Sequence, residues 1–243
     1  MQEHTMKENW DSAYSSGMTM WHPSECMIRF MSRYFKKQIG INEYKTLRPA
    51  STVLDLGCGN GANVLFFNKL GYRTYGVDIS RVAIDLGNRL LSENGFEETL
   101  ICGDMEGLSF QDDYFDIVVS HAALDHIFYA KYLNILGKAK KILKKGGFLF
   151  ITLRSTEGLD YESKTATEVE PYTLITGDDK ALESPFENPH EKGIPQHFFT
   201  IEEIKDSLAA DFNIVNMEKV VEYGGSNLQF VDGRWYIVAL RAV

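Results

Sequence analysis

Between Thr52 and Leu153 the chain alternates short apolar runs with segments of helical spacing, a rhythm that few folds accept. The runs Thr52–Leu56, Arg73–Val77, Thr99–Cys102, Phe115–Val119 and Phe148–Leu153 are nearly continuous in apolar residues, as strands covered on both faces are. Helical patterns at Gly61–Leu70, Ser80–Glu93 and Lys131–Lys144 fill the intervals between them. Strands joined by helix-length crossovers pair in parallel, so the pattern predicts a doubly wound α/β sheet. Local signals agree. Ser80 stands at an N-cap position before Val82, Ile84, Leu86, Leu90 and Leu91, and Asn94-Gly95 ends that helix. Thr200, followed three residues later by Glu203, has the form of a capping box and predicts a helix from residue 201. Further strands at Phe212–Val220 and Arg234–Leu240 close the sheet.

Two regions break the rhythm of what is otherwise one domain over residues 1–243. Residues 1–50 are expected to form a helical cap leading into the first strand. Ser155–Gln196 is polar and carries four prolines, and an insertion of that length in a compact domain is expected either to cover the substrate as a lid or to be a decoration of the fold. The lysines Lys138, Lys140, Lys141, Lys144 and Lys145 are expected on a solvated helix face stopped by Gly146 and Gly147.

Charge and cysteine usage narrow the function. A formal charge of −9 is the wrong balance for neutralising phosphates, so no nucleic-acid partner is expected. No stretch reaches the ~18 apolar residues of a membrane span, and the N-terminus lacks a signal-peptide core, so the expectation is a cytoplasmic chain with no membrane partner. Cys26, Cys58 and Cys102 have no CxxC spacing and no HExxH occurs, so neither a disulfide framework nor a bound metal is expected.

The first strand runs into Asp55-Leu56-Gly57-Cys58-Gly59-Asn60-Gly61, three alternating glycines where a strand turns into a helix. Glycine there lets a ligand approach the backbone and lets φ turn positive. Gly57, Gly59 and Ala62 also satisfy the dinucleotide-binding form, which leaves the cofactor open at this point. Asp55 shifts the balance, because a carboxylate at that strand end repels a pyrophosphate and attracts an ammonium. Asp78 ends the second strand at the distance where an acid accepts hydrogen bonds from ribose hydroxyls. Asp104, in Gly103-Asp104-Met105 after the third strand, is placed to accept from an adenine amine while Met105 packs on the ring. Ligands of open α/β sheets bind outside the carboxyl ends of the strands, so all three acids are expected at one crevice.

The stretch Val53 to Gly61, then Asp78, Gly103-Asp104-Met105 and Phe115-Asp116-Ile117-Val118-Val119-Ser120, resembles the successive motifs of class I S-adenosylmethionine-dependent methyltransferases. The resemblance covers roughly residues 50 to 153, with a weaker echo in His197-Phe198-Phe199-Thr200 and the last two strands. It implies a Rossmann-like, mostly parallel seven-stranded sheet in the order 3-2-1-4-5-7-6 with the last strand antiparallel, and S-adenosyl-L-methionine as cofactor. It further implies that Gly57 and Gly59 contact the methionine part, Asp78 with Ile79 the ribose side, Asp104 and Met105 the adenine, and Ser120 the edge of the site. The acid that members frequently carry at the end of strand four is absent, with Ser120 and His121 in its place. Trp10, Tyr14 and Trp21 resemble the N-terminal helix and loop by which small-molecule members close over the cofactor, Trp21 being expected on the cofactor and Tyr14 on the substrate.

The expected reaction is methyl transfer to an oxygen, nitrogen or sulfur atom of a small metabolite. In-line displacement at a sulfonium needs alignment more than covalent help, and a histidine of near-neutral pKa suits an acceptor that must lose a proton. Of His121, His126, His190 and His197, His126 is the candidate base, and His197 a candidate substrate contact. Arg154, directly after the fifth strand, is a candidate for holding an anionic substrate group. Between Glu157 and Lys192 ten acids stand against three lysines, which suits either a cationic acceptor or a soluble loop. Alternative readings are an NAD(P)-dependent oxidoreductase, favoured by Gly57-x-Gly59-x-x-Ala62 and opposed by Asp55 and Asp104, and a regulatory protein that binds S-adenosylmethionine without turnover. The acceptor and the oligomeric state are left open.

Overall fold

The computed structural model describes residues 2–157, 161, 166–176, 191–224 and 230–243. Helices α1 (Gln2–Ser15) and α2 (Glu25–Tyr34) precede a hairpin, β1 (Lys36–Gly40) and β2 (Glu43–Thr46). The alternating segment then delivers β3 (Thr52–Leu56), α3 (Ala62–Lys69), β4 (Arg73–Asp78), α4 (Arg81–Glu93), β5 (Leu100–Cys102), β6 (Phe115–Ser120), α5 (Tyr129–Ile142) and β7 (Leu143–Arg154). Three short strands follow, β8 (Ala166–Glu170), β9 (Thr173–Thr176) and β10 (Pro195–His197), and then α6 (Ile201–Ala209), β11 (Phe212–Gly224) and β12 (Phe230–Arg241). The main sheet has seven strands in the order β5-β4-β3-β6-β7-β12-β11. The inner strands pair in parallel, while β12 is antiparallel to both of its neighbours. This is the doubly wound arrangement expected from the sequence.

Strand residues alternate between two cores, which explains why the strands read as continuous apolar runs. Leu54 and Val118 pack with α5 and α6, around Tyr132, Ile135, Ile204 and Leu208. Val53, Ile117 and Val119 face the other side, where Met27, Phe30 and Met31 of α2 meet Phe67 of α3. Both faces of β3 and β6 are therefore buried, as the helices of a doubly wound sheet require. The expected caps are present. The Ser80 side chain accepts from the Ala83 amide, and Thr200 and Glu203 form a reciprocal capping box.

The structure departs from expectation in two places. Residues 36–46 form a two-stranded antiparallel hairpin rather than helix. The fifth strand begins at Leu143, so Lys144 and Lys145 lie in β7 and not in the last helical turn, because α5 passes directly into the strand. The inserted region, whose order the sequence left open, contributes a three-stranded antiparallel sheet, β8-β9-β10.

One contact fixes the N-terminal helix over the sheet. Asp11 of α1 accepts hydrogen bonds from the Ser80 hydroxyl at 2.7 Å and the Val82 amide at 3.1 Å, and pairs with Lys7. A carboxylate at the start of α4 satisfies a helix amide that has no intrahelical partner and favours the helix dipole. Replacing Asp11 with alanine is expected to loosen α1 by about 1 kcal/mol. Limited proteolysis should then cut within residues 1–20 several-fold faster than in the unaltered protein, roughly as that energy converts to a population. An unchanged cleavage rate would mean that other contacts hold the helix.

Candidate functional site

The turn after β3 has the backbone that only glycine adopts easily. Gly57 has φ +72° and Gly59 φ +53°. A side-chain carbon at Gly57 would fall 2.2 Å from the Ala123 Cβ, and one at Gly59 would fall 2.3 Å from the Tyr14 hydroxyl. The turn is thus clamped between the segment after β6 and helix α1. Asp78 at the end of β4 ties it down further. Its Oδ2 accepts from the Gly59 amide at 2.8 Å and its Oδ1 from the Ser80 amide at 2.9 Å. On the other side, the Met20 amide donates to Asn60 Oδ1 and Asn60 Nδ2 donates to the Met20 carbonyl, pinning the loop after α1 to the turn.

Two carboxylates lie beside this turn in low dielectric. Asp55 is buried, and neither of its oxygens has a hydrogen bond of normal geometry. Burial pushes its pKa up to about 8, the Asn63 amide offsetting part of the shift and the charge of Asp78 adding to it. Asp78 is raised for the same first reason, burial, although the amides of Ser80 and Gly59 stabilise its ionised form. Asp104 follows β5. It accepts from the Glu106 amide and is paired with Lys131 of α5.

A cavity of about 760 Å³ opens at the carboxyl ends of the parallel strands. Gly57, Gly59, Asp78, Ile79, Asp104 and Met105 line one part of it. Tyr14, against Gly59, lines it too, as do His121, His126, Arg154, Glu191 and Arg234. A network of buried ions surrounds His126. Asp125 Oδ2 accepts from Arg234 at 2.7 Å, and Asp125 Oδ1 lies 3.2 Å from His126 Nδ1. His126 Nε2 lies 3.2 Å from Glu191, and Arg154 donates to both Glu191 oxygens at 3.1 Å. Burial works against the His126 charge, yet Asp125 and Glu191 outweigh it and raise the pKa to about 9. His126 is therefore an imidazolium at neutral pH and has no lone pair for a substrate proton.

His121 behaves in the opposite way. Burial, with Arg234 adding to it, lowers its pKa to about 4. Its Nδ1 lies 2.9 Å from the Thr152 hydroxyl and 3.5 Å from Cys26 Sγ. The Thr152 oxygen also accepts from the Ala122 amide. Nε2 is the nitrogen left over, on a ring that lines the cavity and is uncharged at neutral pH.

The cavity thus brings together Gly57, Gly59, Asp78, Ile79, Asp104, Met105, Tyr14, His126 and Arg154, with Asp55 beneath its wall. Four expected residues do not line it, Asp55 among them. Trp21 is 64% exposed, because the hydrogen bonds that anchor Met20 leave its neighbour outside, and Trp10, Met18 and Met20 take that wall instead. Ser120 is fully buried and donates to the Leu56 carbonyl, fastening β6 to β3. His197 is buried under Tyr129 and Phe199, with Nδ1 2.7 Å from the Thr173 hydroxyl. Arg154 does line the cavity, but its guanidinium is engaged with Glu191 and Gln196. His190 lies outside the described residues. Asp125, Glu191 and Arg234 were not anticipated. Only Asp125, adjacent to His126, had a local signal.

The N-terminal helix and the insertion meet over this cavity. Asn9 Nδ2 donates to the Lys192 carbonyl at 2.7 Å, and Trp10 packs edge-on against His126 with ring centres 5.3 Å apart.

Residues 54–151 match a family described as a methyltransferase domain. The phosphoethanolamine N-methyltransferase of Plasmodium falciparum is 32% identical over 56% of this chain and 52% of that relative. Protein arginine N-methyltransferase 1 of Schizosaccharomyces pombe is 29% identical over 66% of this chain and 48% of its own length. The chain spans about half the length of the curated relatives it matches. Among solved structures, an S-adenosylmethionine-dependent methyltransferase from Methanosarcina mazei aligns with a TM-score of 0.65 at 21% identity, over 81% of this chain and 95% of the other. The 1,6-didemethyltoxoflavin-N1-methyltransferase of Burkholderia thailandensis, solved with 1,6-didemethyltoxoflavin and S-adenosylhomocysteine, aligns with a TM-score of 0.64 at 16% identity, over 99% and 88%. At these identities the structural likeness is one of fold.

Proposed function

We infer from the match of residues 54–151 to a methyltransferase domain that this chain transfers a methyl group from S-adenosylmethionine to a small-molecule acceptor. The observation that carries the reading is the pair Asp55 and Asp78 beside a glycine turn at the point where strand order reverses, Asp55 buried and Asp78 lining the cavity. An unpaired buried carboxylate is unfavourable unless a cation reaches it. S-adenosylmethionine brings an ammonium and a sulfonium and no phosphate, so the residues present fit it, whereas the pyrophosphate of a nicotinamide cofactor would meet two acids.

The bound cofactor supplies an electrophilic methyl group on sulfur. The chain's part is to hold, align and shield. Gly57 and Gly59 let the turn pack against Ala123 and Tyr14 while lining the cavity, Asp78 is placed for ribose hydroxyls, and Asp104 and Met105 are placed for adenine. The wall of His121, His126 and Arg234 then receives the acceptor. His121 Nε2 accepts a hydrogen bond from the nucleophile and orients it, while the charged His126 keeps the wall in register. Small-molecule specificity agrees with a cavity of about 760 Å³ that Trp10 of α1 and Glu191 both line.

Two measurements test this reading. Calorimetry should show binding of S-adenosylmethionine and S-adenosylhomocysteine and none of NAD; failure to bind either sulfur ligand overturns it. Incubation with methyl-labelled cofactor and a metabolite extract should label one small product, whereas label on protein alone would move the acceptor class. In that assay His121→Ala is expected to cut product formation at least tenfold while cofactor affinity stays the same. Undiminished product would remove His121 from the acceptor site.

A further inference from the structure

The β1–β2 hairpin carries a surface that methyl transfer leaves unused. It lies at the amino ends of the parallel strands, the opposite end of the sheet from the cavity. Residues 41–49 are exposed throughout, and Ile39 and Ile41 are 62% and 91% exposed. A two-stranded hairpin wetted on both faces has little stability of its own. Lys37 and Lys45 are direct cross-strand partners, an arrangement in which like charges repel. Both line a groove of about 830 Å³, alternating along their strands with Ile39 and Leu47, and Ile28, Arg29 and Arg33 of α2 form its opposite wall. Arg29 and Arg33 are tied to Glu218, whereas Lys37 and Lys45 have no side-chain partner among the described residues. Residues 28–48 hold six basic side chains against one acid in a chain whose formal charge is −9.

We propose that this hairpin docks the protein on the surface of an anionic lipid bilayer, Lys37 and Lys45 meeting lipid phosphates in the groove while Ile39 and Ile41 enter the boundary between head groups and acyl chains. An anion between the two lysines removes their repulsion, and apolar residues at a projecting turn gain burial there. Nucleic acid would satisfy the lysines and leave both isoleucines in water. A symmetric contact with a second copy would set the same basic residues against each other. Docking of this kind needs no spanning segment, and among the described residues no helix is long and apolar enough to cross a membrane.

The test is co-sedimentation of the full chain with vesicles of phosphatidylcholine, with and without phosphatidylglycerol. The chain should sediment with the anionic vesicles only, and less so as salt rises. Lys37→Glu with Lys45→Glu should weaken binding at least tenfold, since each lysine near the surface contributes roughly a fivefold factor. Ile39→Ser with Ile41→Ser should weaken binding several-fold and leave its salt dependence in place. Calorimetry with S-adenosylhomocysteine, unchanged in both variants, certifies that they are folded and keeps this result separate from the methyltransferase reading. No sedimentation, equal sedimentation with neutral vesicles, or full binding by the charge-reversed variant overturns the proposal. So does sedimentation velocity showing a dimer that Ile39→Ser with Ile41→Ser dissolves, without any vesicle binding.

Discussion

Asp78→Asn lowers affinity for S-adenosylhomocysteine by roughly a hundredfold, although the side chain keeps its size. Each oxygen of Asp78 accepts one backbone amide, Gly59 through Oδ2 and Ser80 through Oδ1. An asparagine can face only one of them with its carbonyl; the other amide then meets an NH2 group, donor against donor. If the Gly59 side is lost, the glycine turn keeps only the bonds from the Gly57 and Cys58 amides to the Val77 carbonyl as ties to β4. If the Ser80 side is lost, the start of α4 and its contact with Asp11 are disturbed. Either way the remaining capacity for ribose hydroxyls is reduced. Calorimetry measures the change directly, and an affinity within threefold of the unaltered protein would show that Asp78 does not organise the cofactor site.

The second large effect is on stability. Asp125→Ala removes the carboxylate that lies between Arg234, His126 and Arg154. Stranding buried cations costs about 3–5 kcal/mol, or a fall in Tm of roughly 10 °C for a chain of this size. The pH dependence carries the same signature. His126 has its pKa raised to about 9, so its contribution is complete below about pH 6.5, the ordinary histidine value, and disappears as pH rises through 9. Asp125 is held well below the usual carboxylate range: burial opposes its charge, but Arg234, His126 and Arg154 together prevail. Its contribution is present above about pH 4 and is lost only in stronger acid. Denaturant titrations at pH 6 and pH 9 should therefore show a decline in the unaltered protein that is largely missing from Asp125→Ala. A parallel decline in both would separate His126 from the pH dependence.

The strands and the three acids were legible because each rests on a local pattern, whereas the strand order followed only from the resemblance to a known family. Apolar runs set the strands, and strand ends set where Asp55, Asp78 and Asp104 must fall. The hairpin was hidden for the converse reason: Lys36–Thr46 is wet on both faces, so no burial alternates along it to leave a pattern. The strand β7 began earlier than expected because Leu143 passes from α5 into the sheet without any intervening turn, and lysines at a helix end look the same as lysines at a strand start. Glu191 was beyond local reasoning altogether. Its partners Arg154 and His126 stand 37 and 65 residues away, and only tertiary folding brings them to it. The same network bears on the role expected of His126, since sequence supplies a histidine but not the two acids that favour its charged form.

Because Asn9 reaches across to Lys192, the two segments roofing the cavity are stitched to one another as well as to the floor. Neither leaf of such a double door opens alone. Opening the cavity between α1 and residue 192 therefore breaks this bond.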